Sequence, residues 1–195
     1  MKFWPTKKWK QIVLVSIIAF IVVVAGVLGF VFYKISSDFT SELEVLNADG
    51  SETALIIYHP GLSSFMQDVT YAFADGLVEN GWRVEITTAS SQAPTDLSGY
   101  SVLVLGSPVY ADSPTDSIKR HVERIGDLEG IDTVLLVTSG GSDGGAEAQL
   151  QQTVEEHNSN IETTVSVYTS VPNTGNGDPL QIAEQAGRDL FVANR

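Results

Sequence analysis

From residue 54 to the C-terminus, short runs of consecutive apolar residues alternate with amphipathic segments, and this alternation restricts the fold more than any other feature. The runs at 54–59, 101–107 and 132–139 are rich in Leu, Ile and Val. A strand apolar on both sides of its pleat is covered on both faces, which is the pattern of a parallel sheet between helices. Phe65, Val69, Phe73 and Leu77 recur every fourth residue, so 65–80 is expected to be a helix, ended by Gly81 as a C′ residue. In 82–88, Trp82, Val84 and Ile86 alternate with polar residues, as in an edge or half-exposed strand. Ser113-Pro114 reads as N-cap and first helical residue of a helix whose inner stripe is Ile118, Val122 and Ile125. Ala146, Leu150 and Val154 mark the next helix, 162–171 a further strand, and Asp178-Pro179 the start of a last helix with Ile182, Ala183, Ala186 and Leu190 inside. Strand-then-helix repetition of this kind gives a doubly wound α/β domain with five parallel strands.

Ahead of this domain, residues 12–33 carry no charge. As a helix they extend roughly 33 Å at about 1.5 Å per residue, enough to cross a bilayer. The stretch is too long for the apolar part of a signal peptide, and no small-x-small cleavage site follows it. Trp4, Trp9 and Tyr33 flank it, as interfacial aromatics do. Lys2, Lys7, Lys8 and Lys10 precede it and only Lys34 follows at once, which predicts a cytoplasmic N-terminus and a domain outside the cytoplasmic membrane. The expected organisation is a basic tail at 1–11, a transmembrane helix at 12–33, a polar linker at 34–52 with room for a short strand at Glu44-Val45-Leu46, and one domain at 53–195. Ala25 and Gly29 form a small-xxx-small pair, a weak signal for helix pairing.

Beyond Lys34 lie six of the 11 basic residues and all 24 acidic ones, a formal charge of −18. Such a charge argues against nucleic acid and anionic lipid as partners. The absence of Cys excludes disulfides, iron–sulfur clusters, thiolate zinc sites and cysteine nucleophiles.

Three loops follow the C-terminal ends of expected strands, where doubly wound sheets bind ligands. The first, His59-Pro60-Gly61-Leu62-Ser63-Ser64-Phe65, joins a strand to a helix start, a place where backbone N–H groups and hydroxyls hold a phosphate. The second contains Ser107-Pro108-Val109-Tyr110-Ala111, with an aromatic tip suited to a planar ligand. The third opens Ser139-Gly140-Gly141-Ser142, and with Gly144 and Gly145 has four glycines that let backbone approach a ligand. Plain alternatives stand beside these readings: Tyr110 capping the sheet edge, Ser63 and Ser64 capping a helix, the third loop a simple turn, and His121 and His157 on exposed helix faces. Gly-x-Gly-x-x-Gly after the first strand and acidic residues in the same place are both missing. These absences argue against a dinucleotide-binding domain and a phosphate-accepting receiver.

With "DLSGYSVLVLGSPVY" followed by "SP", and with "LIIY" and "LLVTSGG", the chain resembles the flavodoxin family over about residues 54–191. The resemblance implies strand order 2-1-3-4-5 and FMN as cofactor. It puts the phosphate near Ser63 and Ser64, the isoalloxazine ring against Tyr110, and the ring edge near Ser139 to Gly141. It also implies electron transfer with a redox protein as partner. Two features depart from the family pattern: Pro60 lies within the phosphate loop, and Phe65 stands where the family's last threonine is expected. A second reading therefore stays open, in which the domain has lost FMN and serves as a membrane-tethered binding module.

Overall fold

A computed structural model describes residues 7–142, 144–173 and 177–190. Trp4, Lys2 and Asp143 lie outside the described residues. The chain divides into two compact units, residues 1–35 and 36–195.

The first unit holds most of helix α1 (Lys8–Ser36), 29 residues with none buried. It is long and apolar enough to cross a membrane. It begins earlier than the uncharged stretch and takes in Lys8, Lys10 and Lys34, whose long stems let the ammonium groups reach beyond an apolar layer.

The second unit is an α/β domain. Its elements run β1 (Glu44–Leu46), β2 (Thr53–Tyr58), α2 (Phe65–Glu79), β3 (Arg83–Thr88), β4 (Val102–Tyr110), β5 (Ser113–Pro114), α3 (Asp116–Ile125), β6 (Asp132–Ser139), α4 (Ala146–Glu155), β7 (Asn160–Tyr168) and α5 (Pro179–Asp189). Five strands are parallel and lie in the order β3-β2-β4-β6-β7, which is 2-1-3-4-5 counted among themselves. Strand order reverses between β2 and β4, so their C-terminal ends form the switch point where such sheets bind ligands.

Each central strand feeds two cores. Ala54, Ile56 and Tyr58 of β2 pack on one face with Phe73, Leu77 and Ala183 of α2 and α5. Leu55 and Ile57 pack on the other with Ile118, Val122 and Leu150 of α3 and α4. This two-sided burial is why the central strands are unbroken apolar runs. Polar Glu162, Thr164 and Ser166 interrupt β7 because it is the sheet's outer edge. Asp178 caps α5 as expected, accepting the N–H groups of Leu180 and Gln181, with Pro179 at the helix start.

Among the described residues the sheet holds the five expected parallel strands and two further short ones, β1 and β5, that pair antiparallel. β1 pairs antiparallel with β3, so β3 is not an edge strand. Residues from Ser36 onward fall in the second compact unit. Residues Ser113 and Pro114 do not open a helix. They return alongside Val109 and Tyr110 as β5, because Ala111 and Asp112 both adopt left-handed backbone (φ 49° and 57°), a two-residue hairpin turn built without glycine. Thr115 is the N-cap of α3 instead. His121 is buried, not exposed, and His157 is half-buried with Nδ1 2.7 Å from the Thr153 carbonyl oxygen.

Candidate functional site

The first loop leaves β2 at the switch point. The His59 N–H donates to the Gly106 carbonyl, so loop one starts bound to β4. His59 is buried, and its Nδ1 accepts the Gly61 N–H at 3.0 Å. That acceptor role fixes the neutral tautomer with the proton on Nε2. Gly61 takes φ +80°, and a Cβ there would stand 2.9 Å from the Tyr110 hydroxyl oxygen. The next N–H, that of Leu62, donates to this hydroxyl oxygen at 2.7 Å. Tyr110 thus ties the second loop to the first. Burial pushes its phenol pKa upward, so the group stays neutral.

At the start of α2 the hydroxyls are already engaged. The Phe65 N–H points at the Ser63 Oγ (3.4 Å), and the Ser64 hydroxyl donates to Asp68 Oδ2 at 2.9 Å. Ser64 occupies the N-cap position without a side-chain cap bond. A helix start leaves its first N–H groups without an intrahelical acceptor; here the Asp68 N–H reaches the Ser64 carbonyl, so those of Met66 and Gln67 are the ones placed to meet an anion. Asp68 stands beside them and opposes an anion. Phe65 is half-buried and packs into the core, so its place at the loop's end is a packing position.

The second loop is braced against α4, and the third is held by a bond of its own. The Gln149 side chain donates to the Asp112 carbonyl (3.0 Å) and lies within reach of the Ser113 hydroxyl (3.3 Å), which holds the hairpin to α4. Ser107 is fully buried and accepts the Thr115 N–H at 2.9 Å, so its hydroxyl serves the start of α3. The Ser142 hydroxyl accepts the Gly144 N–H within its own loop.

Between the loops lies a cleft of about 120 Å³. Of the residues expected from the sequence, Pro60, Gly61, Ser63, Phe65, Pro108, Val109, Tyr110, Ser139 and Gly140 line it. His59, Leu62, Ser64, Ser107, Ala111, Gly141 and Ser142 do not line it. Met66, Thr138 and Thr169 line it and were missed. Met66 and Thr138 sit in an apolar helix face and an apolar strand, where the sequence signals core. Their contact, Thr138 hydroxyl to Met66 Sδ at 3.4 Å, forms part of the cleft lining. Ser139 is the informative lining residue: it is 7 % exposed, and its Oγ has no hydrogen-bond partner among the described residues. A buried hydroxyl without a partner costs about 1–3 kcal/mol, so it marks a place where a ligand's polar atom would be stabilised.

Solved structures share this architecture. An archaeal flavodoxin superposes with a TM-score of 0.58 at 14% identity, over 71% of this chain and 95% of its own. This domain has a flavodoxin-like fold. A Streptococcus pneumoniae flavodoxin gives 0.57 at 13% identity, over 72% and 98% of the two chains. An NAD(P)H:quinone oxidoreductase from Methanothermobacter marburgensis gives 0.51 at 18%, over 72% and 98%. No protein-family model and no curated protein matches the sequence.

Small-molecule sites enclose about 300–1,000 Å³. The cleft is smaller than that, and the Tyr110 hydroxyl spans its edge to the Leu62 N–H.

Proposed function

We propose that this domain binds FMN at the cleft and acts as an electron carrier anchored in a membrane by α1. The basic tail would be cytoplasmic and the domain extracytoplasmic. The observation that carries this reading is the buried, unpartnered Ser139 Oγ in a cleft lined by all three switch-point loops. When bound, the flavin supplies the redox chemistry. The protein's part is binding and electrostatics. The α2 N-terminus with Ser63 would hold the phosphate, Tyr110 would lie against the ring, and Ser139 would hydrogen-bond its edge. The charge of −18 beyond Lys34 opposes further negative charge in the cleft and favours a basic redox partner.

A second reading has its own observation. The bond from the Leu62 N–H to Tyr110, and the small cleft it closes, fit a domain that has lost FMN and serves as a membrane-tethered binding module.

Two substitutions separate the readings. Ser139→Ala removes a buried polar group without a partner, so stability should hold or rise. FMN affinity should fall about tenfold if Ser139 bonds the ring. Tyr110→Phe keeps the ring and releases Leu62. It should tighten FMN several-fold, whereas Tyr110→Ala should weaken it by about 1–3 kcal/mol through lost stacking, by analogy with bases on aromatic side chains. Flavin fluorescence titration with parallel thermal melts measures all three. A folded protein whose wild type and Tyr110→Phe form both ignore FMN belongs to the second reading.

A further inference from the structure

The segment leading from α1 into the domain is bound along the sheet rim beside loop one. Thr88, the last residue of β3, donates its hydroxyl to the Phe39 carbonyl, and its N–H donates to Ser41 Oγ at 3.0 Å. The Ser41 N–H returns a bond to Thr88 Oγ1, also at 3.0 Å. From α3, Arg120 donates to Asp38 (2.6 Å) and to the Ser36 carbonyl (3.3 Å). These contacts leave the Phe39 ring edge-on to the His59 ring, with centroids 5.4 Å apart and planes at 82°. His59 in turn holds the Gly61 N–H. The path from residues 36–41 to the cleft therefore takes two side chains, Phe39 and His59.

We infer that His59 is a positioning residue for the cleft's first loop, and that the segment 36–41 acts as a strap that holds it there through Phe39. His59 does not line the cleft. By fixing Gly61 in its left-handed turn, it sets the direction in which the chain carries Ser63 and Ser64 to the start of α2. Residues that the sequence presents as a polar linker thus shape the binding loop. The affinity part of this inference rests on the flavin reading above, and the loop part does not.

The test uses the full chain in detergent micelles, with amide hydrogen exchange resolved at 59–64 and FMN titrated in parallel. His59→Leu and Phe39→Ala should each raise exchange at Gly61 about tenfold, while Leu55, Ile56 and Ile57 of β2 stay protected. Both should weaken FMN about tenfold. His59→Asn, whose Oδ1 falls near the position of Nδ1, should restore slow exchange and affinity. Thr88→Val cuts the strap's hydrogen bonds and should act like Phe39→Ala, which covers the case of an unstable Phe39 variant. Unchanged exchange at Gly61 in His59→Leu, or an Asn variant no better than Leu, overturns the role of His59. Exchange that rises equally in β2 overturns the strap. If exchange responds as expected and the wild type binds no FMN, the positioning role stands and the flavin reading falls.

Discussion

Acidification from about pH 6.5 to about pH 4 should remove about 3 kcal/mol of stability through His121 alone. This residue is 1% exposed, and its Nδ1 accepts from Arg124 Nη2 at 2.8 Å. Burial first, and then the Arg124 charge, push its pKa down from 6.5 to about 4, against a smaller opposite effect of the Pro94 carbonyl. Above pH 6.5 the imidazole is neutral in both folded and unfolded chains, and nothing is lost. Below it the unfolded chain takes up a proton that the folded chain refuses until about pH 4. The loss accumulates across that window and then stops, at about 1.4 kcal/mol per pH unit. Denaturant melts at pH 8, 6, 5 and 4 should show the wild type losing more stability than His121→Gln. The comparison cancels what both proteins share, including carboxylates held low by hydrogen bonds, such as Asp96 and Asp127. It also cancels the relief of self-repulsion as an acidic domain is neutralised. Equal losses in the two proteins would mean that the ring is protonated and accommodated in the fold.

His121 also shows where the sequence stops being legible. A histidine beside Arg120 and Arg124 on a helix reads as part of a charged outer face. It is buried because the loop after β3 folds back over α3, and the Arg124 bond to the Ala93 carbonyl records that contact. Long-range closure of this kind leaves no local periodicity. The five parallel strands were legible for the opposite reason, since burial on both faces writes itself as consecutive apolar residues. The hairpin at Tyr110 was hidden because its left-handed turn uses Ala111 and Asp112, where the usual signal is Asn-Gly or Asp-Gly. The strap was hidden because its bonds run through backbone and hydroxyl groups, and polar composition looks the same in a free linker. At the cleft, the identity of the loops could be read ahead. Their pairwise bonds, Leu62 to Tyr110 and Gln149 to Asp112, could not.

The contact between α2 and α5 carries the other large effect. A Cβ on Gly76 would collide with the Glu184 carbonyl and lie 2.9 Å from the Arg188 nitrogen. A Cβ on Gly187 would collide with the Phe73 carbonyl and lie 3.2 Å from the Gly76 Cα. The two helices therefore meet backbone to backbone, with one glycine from each at the crossing. Arg188 bridges outward to Glu79 and Glu184, and the Asn80 side chain donates to the Arg188 carbonyl. Phe73, fully buried, fills the space between this crossing and the sheet. Phe73→Ala should cost about 3–5 kcal/mol, because it loses a large apolar side chain and leaves a cavity. Gly187→Ala acts in the reverse sense: the added methyl meets backbone, which has no rotamer to move away, so the helices must separate. That overpacking should cost about 1–3 kcal/mol, offset by up to about 1 kcal/mol from alanine's better helix propensity. Once Gly187→Ala has parted the helices, Gly76→Ala adds little, so the double variant should fall short of the sum of the singles. Urea denaturation of the four proteins measures this. Full additivity, or a Gly187→Ala variant as stable as the wild type, would show that the helices do not touch at these glycines. A deficit in the double variant would identify them as one shared contact, the feature that lets Phe73 reach the sheet.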